Sequence, residues 1–97
     1  MPYFNKYRVV HNSHEYRLAQ IYCYDDEKYL GTMEFFPNDK DLPANETVNN
    51  IVKIQFHISA FPDIMNTLRY EKPLYFNHEG AVGYVGTIKE GVGEEES

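Results

Sequence analysis

Residues 15–36 read EYRLAQIYCYDDEKYLGTMEFF. Two runs rich in Tyr, Ile, Leu, Met and Phe flank the turn-forming DDE at Asp25–Glu27, the pattern of a β-hairpin. In the first strand, 16–24, Tyr16, Leu18, Gln20, Tyr22 and Tyr24 point one way and Arg17, Ala19, Ile21 and Cys23 the other. In the return strand, 28–36, Tyr29, Met33 and Phe35 oppose Leu30, Thr32, Glu34 and Phe36. Large side chains stand on both faces, although a sheet with one wet face needs them on one only. Loop length decides which faces meet. A two- or four-residue loop sets Tyr24 opposite or near Tyr29 and groups Leu18, Tyr22 and Tyr24 with Tyr29, Met33 and Phe35; a three-residue loop at 25–27 groups Ala19, Ile21 and Cys23 with that set instead, and leaves Tyr16, Gln20, Tyr22, Tyr24, Lys28 and Glu34 outside. That grouping is preferred because it builds the core from small and branched residues.

Working outward, YFNKYRVV at 3–10 is a first strand and HNSH a break. The Pro-, Asn- and Asp-rich segment 37–49 is a loop long enough to suggest a role. NIVKIQFHIS at 50–59 alternates Val52, Ile54, Phe56 and Ile58 against Lys53, Gln55 and His57. A helix is predicted over 61–70. Phe61, Ile64, Met65 and Leu68 form its apolar stripe, Ser59 is its candidate cap, Pro62 sits in its first turn and Asp63 favours its positive end. PLYF and VGYVGTIK, around NHEGA, make a second hairpin. The predicted order is β-β-β-β-α-β-β: an α+β domain with an antiparallel sheet of five to six strands and one short helix packed on one face.

The 97 residues correspond to one domain, placed at 1–89. Four of the fifteen acids fall in EGVGEEES, 90–97, which is expected to be a disordered acidic tail; nine bases and eleven acids remain in 1–89. Residues 1–24 are locally basic through Lys6, Arg8 and Arg17, against Glu15. The single cysteine excludes an internal disulfide, and no apolar run is long enough to span a membrane. With no apolar leader at the N-terminus, these features point to the cytoplasm.

One ten-residue helix covers only part of one sheet face. The rest must be covered by curling of the sheet, by a second copy, or by a ligand. The expected function is therefore a non-catalytic protein-interaction module, a homodimer or other homo-oligomer, docking through the non-helix face with Tyr16, Arg17, Tyr22 and Tyr24 as contributors. The alternative is a single-stranded nucleic-acid binder using Lys6, Tyr7, Arg8 and Arg17, autoinhibited by the acidic tail. A net charge of −6 disfavours that partner. A small enzyme is a third reading, with Ser13 beside His11 or His14, or Cys23 with a distant His, as the dyads to consider. No catalytic residue is assigned. HNSHE, His57 and His78 lack metal-ligand spacing, so no metal or cofactor is expected. Gly80, Gly83 and Gly86 form no phosphate-binding motif; in a strand they mark a bulge or the close approach of another backbone, which could belong to a second subunit.

Overall fold

The computed structural model describes residues 3–13, 17–70, 74–80 and 82–87. Tyr16, His14, Glu15 and the acidic tail lie outside that set. The strands are β1 (Tyr3–Phe4), β2 (Lys6–His11), β3 (Ala19–Asp25), β4 (Lys28–Phe36), β5 (Glu46–Val48), β6 (Ile51–His57), β7 (Leu74–Glu79) and β8 (Val82–Thr87); a 3-10 turn at Ile58–Ala60 leads into helix α1 (Phe61–Tyr70). The class is α+β with one short helix, as expected. The single antiparallel sheet is corrected: there are two sheets, β2-β3-β4-β6-β5 and β1-β7-β8, and β4 runs parallel to β6.

Each departure has a local cause. The expected first strand breaks at Asn5. Its side chain accepts the Asp26 N–H (2.8 Å) and donates to the Asp26 carboxylate (3.1 Å), pinning the kink to the β3–β4 turn. Before the kink the chain pairs with β7; after it, with β3. The connection 37–50 is no plain loop, because its end pairs with β6 as β5. Asn49 and Asn50 both have positive φ, the requirement of a tight two-residue hairpin turn, and Asn tolerates it. The chain thus leaves β4, returns through β5, and enters β6 beside β4. A parallel pair needs a crossover of about a dozen residues, and this connection supplies it.

The first hairpin reaches the preferred grouping, except for Tyr29, by the two-residue turn and a bulge. Its turn has two residues, Asp26 and Glu27, with Asp26 left-handed and Asp25 opposite Lys28. The register then slips: Tyr24 faces Tyr29, but Cys23 faces Gly31. Leu30 is the extra residue, and it packs against the core. Beyond this bulge Ile21 meets Met33 and Ala19 meets Phe35, all buried. Tyr29 therefore lies with Tyr22 and Tyr24, not with Met33 and Phe35 as the plain alternation implied.

The core runs between the two sheets and under the helix. Phe4, Ile21, Cys23, Met33, Phe35, Val52, Ile54 and Phe76 are fully buried, and Ile64, Met65 and Leu68 close one side. Phe61 sets its edge on Phe35 at 5.0 Å, and Phe4 does the same to Phe76 at 5.3 Å. Ser59 does not cap α1 but lies in the 3-10 turn, where its N–H donates to Asn38 Oδ1 (3.1 Å). Gly83 marks the close approach of a side chain within one protomer, not of another backbone: a Cβ there would collide with Ile54 Cγ2 and stand 3.3 Å from Ile54 Cβ. β8 thus packs on β6 without a backbone ladder. The smaller sheet and helix α1 cover the inner face of the larger one.

Candidate functional site: the outer face and the seam

Strand register assigns the outer face of the five-stranded sheet in rows. At the turn end stand Lys6, Tyr24 and Tyr29, with Ile51 and Val48 at the same end of β6 and β5. Next come Arg8, Tyr22, Thr32, Lys53 and Glu46, and then Val10, Gln20, Glu34 and Gln55. One end is aromatic and aliphatic; the other is polar.

At the apolar end the rings of Tyr22 and Tyr24 lie 6.2 and 5.8 Å from that of Tyr29. Each of the three is half-buried. The Tyr29 hydroxyl is hydrogen-bonded to that of Thr32. The Arg8 guanidinium lies over Tyr22, 5.7 Å from its centroid, a cation–π placement. Val48, at the edge, is 56% exposed. At the polar end Arg17 donates to Glu34 Oε2 at 3.1 Å, the Gln20 amide donates to the same oxygen at 3.4 Å, and Asn12 donates to Gln20 Oε1 at 3.2 Å. Glu34 is nearly buried, so this network satisfies a desolvated carboxylate.

Of the expected interaction residues, Tyr22 and Tyr24 share this cluster, Arg17 serves the neighbouring polar network, and Tyr16 lies outside the described residues. The four proposed for nucleic acid do not form one track. Tyr7 pairs with Cys23 and so belongs to the inner side; Lys6 is 3.8 Å from Glu27 and Arg17 is held by Glu34, while Arg8 stacks on Tyr22. Tyr29 stands on the outer face, opposite to the side that strict alternation predicts. The signal available was Gly31, since Gly inside a strand often marks a bulge.

Among the described residues no hydrogen bond joins Ser13 or Cys23 to a histidine, and His14 lies outside them. Cys23 is buried, and burial pushes its thiol pKa up, so it stays protonated rather than becoming a nucleophilic thiolate. His11 packs its ring on Phe61 at 5.4 Å. No group of three His, Cys, Asp or Glu able to hold a metal occurs among the described residues. No helix among them is long and apolar enough to cross a membrane.

A second feature lies where β5 and β6 approach the β7–β8 hairpin. β5 stops at Glu46, opposite Lys53, so Gln55 stands beyond its end. Asn45 clips this seam: its Oδ1 accepts the Gln55 N–H at 2.7 Å and its Nδ2 donates to the Gly80 carbonyl at 3.4 Å. Thr47 Oγ1 lies 2.9 Å from His78 Nε2. Between these contacts is a cavity of about 460 Å3, walled by Leu42, Pro43 and Ala44 and by Gln55 and His78. Sequence alone gave no sign of it, because its walls come from three separate segments. The chain matches no protein-family model, no curated protein and no solved structure.

Proposed function

We propose that this protein is a non-catalytic interaction module that pairs with a second copy of itself through the apolar end of its outer sheet face. The observation that supports this reading is the tyrosine triad, Tyr22, Tyr24 and Tyr29, half-covered and flanked by Arg8 and the exposed Val48. Tyr and Arg anchor interfaces because they offer large rigid contact area with a polar tip. The charges suit a copy of the same face. Lys6 and Arg8 stand on β2 at one edge and Glu46 on β5 at the other, so a two-fold axis through the middle brings base against acid.

Sedimentation equilibrium from micromolar to millimolar protein tests the reading. Wild type is expected to dimerise, and Val48→Lys, which disturbs no core packing, to remain monomeric with unchanged thermal stability. A wild-type monomer at millimolar concentration removes the proposal. Salt-sensitive binding of a labelled single-stranded oligonucleotide by that monomer would transfer the face to the nucleic-acid reading.

A further inference from the structure

The outer face of the smaller sheet carries an inference separate from the pairing of the larger one. Phe4, Leu74 and Phe76 are buried, so alternation turns Tyr3, Tyr75 and Asn77 to the other side of β1 and β7, with Gly86 and Tyr84 opposite Tyr75 and Asn77 on β8. Tyr3, Tyr75 and Tyr84 make one row across the three strands: neighbouring rings stand 6.2 and 6.1 Å apart and cross at 71° and 72°. Gly86 makes room for the middle ring. A Cβ there would stand 3.2 Å from the Tyr75 hydroxyl oxygen and 3.3 Å from the ring carbon that bears it, so the ring lies across bare backbone. Tyr3 is 53% exposed and Val82, on the same face, 65%. Asn77 Oδ1 accepts the His78 N–H at 2.9 Å, which leaves the amide NH2 as a donor. The row is a ridged aromatic surface set with hydrogen-bond donors. Its one charge among the described residues is the exposed Glu79.

We infer that this face binds a proline-rich segment in the polyproline II conformation, flanked by Lys or Arg. Size, charge and ring geometry favour that partner. Three strands of six residues or fewer span about 14 by 20 Å, roughly 280 Å2, where a stable dimer needs about 800 Å2 from each partner. The face therefore suits a peptide better than a second copy. No Lys or Arg stands on it among the described residues, and Glu79 repels phosphate, so nucleic acid has no cationic track to follow. A cation near Glu79 is complementary instead. Rings set edge to face leave hollows between them, which receive a puckered pyrrolidine better than a planar base that stacks on a parallel face. A polyproline II helix rises about 3.1 Å per residue, so two residues cover the distance between neighbouring rings. Proline has no N–H and presents only a carbonyl acceptor, which the tyrosine hydroxyls and the Asn77 amide meet as donors. Such a segment is already ordered before it binds, and aromatic-lined surfaces exploit that.

The test uses the full 15N-labelled chain at fixed concentration, read by two-dimensional NMR of the backbone amides and by the tyrosine ring protons. Four probes are titrated: decaproline with one Arg at each end, uncharged decaproline, an Arg-flanked Gly-Ser peptide of equal length, and the neutral sugar cellohexaose. Arg-flanked decaproline is expected to shift the β7–β8 amides and the Tyr3, Tyr75 and Tyr84 rings saturably, with a Kd of about 0.1 mM, as befits a small interface. Tyr3→Ala, at an exposed edge position, should weaken that binding about tenfold. Glu79→Gln should weaken it about threefold and leave uncharged decaproline unaffected, as loss of one exposed ion pair predicts. The Gly-Ser peptide and the sugar should leave the signals unmoved. No saturable shift at millimolar decaproline overturns the proposal. So does equal binding of the Gly-Ser peptide or of cellohexaose, a response confined to Tyr22, Tyr24 and Tyr29, or binding indifferent to both substitutions. None of these results bears on dimerisation through the larger sheet.

Discussion

Gly31→Ala strikes the point that sets the sheet. Gly31 is buried at the bulge of β4, in the parallel ladder opposite Val52. A Cβ added there would fall on the Val52 carbonyl oxygen and lie 2.9 Å from the Val52 carbonyl carbon and nitrogen. The obstacle is backbone, so no rotamer change relieves it. The two strands must part or the bulge must move. Overpacking of this kind costs about 1–3 kcal/mol, and each backbone hydrogen bond stretched out of the ladder adds about 1 kcal/mol. A loss of about 3–4 kcal/mol is expected, a large part of the ~5–15 kcal/mol available to a domain of this size. Urea denaturation measures it directly, and the melting temperature should fall by more than about 12 °C. Gly80→Ala is the control. Its φ of +55° makes Ala strained, but nothing lies within 4 Å of the added Cβ, so the cost is only about 1–2 kcal/mol. A Gly31→Ala loss below about 1 kcal/mol, or one no larger than that of Gly80→Ala, would refute the assignment of the bulge and of the close β4–β6 approach.

Three further outcomes follow from single contacts. Asn45→Ala should cost about 1–3 kcal/mol by leaving the Gln55 N–H without its acceptor, and hydrogen exchange at Gln55 should quicken relative to the rest of β6. Arg17→Ala should cost about 1–2 kcal/mol, less than breaking a fully buried pair because Arg17 is partly solvated, and the effect should shrink when Glu34→Gln is made as well. For Cys23, burial raises the folded-state pKa above that of the unfolded chain, so its contribution is complete below about pH 8.5 and falls by about 1.4 kcal/mol per pH unit above it. Wild type should therefore lose stability faster than Cys23→Ala above that pH, and a thiol reagent should label Cys23 only on unfolding.

Sequence patterning reached the helix and the inner faces because those rest on local periodicity. Phe61, Ile64, Met65 and Leu68 fall on one stripe, and Val52 and Ile54 on one strand face, whatever the topology. The parallel β4–β6 pair was not legible, since strand direction depends on where the chain goes between 37 and 50. Asn49-Asn50 marked that hairpin, but Asn is equally at home in a loop. The bulge escaped for a related reason: strict alternation places Tyr29 with Met33, and one inserted residue reverses it. The outer position of Tyr22 and Tyr24 followed from only one of the two registers that the hairpin allows, because alternation alone does not fix the loop length. The seam cavity was not legible either, because the 42–45 segment, β6 and the β7–β8 hairpin meet only in the fold.

Ring-proton NMR across a concentration series locates self-association on the molecule most directly. The pairing account predicts that the signals of Tyr22, Tyr24 and Tyr29 shift together as protein concentration rises, while those of Tyr3, Tyr75 and Tyr84, which pack on one another in the smaller sheet, stay in place. Concentration-independent shifts for the first three rings, or movement confined to the second three, would contradict it.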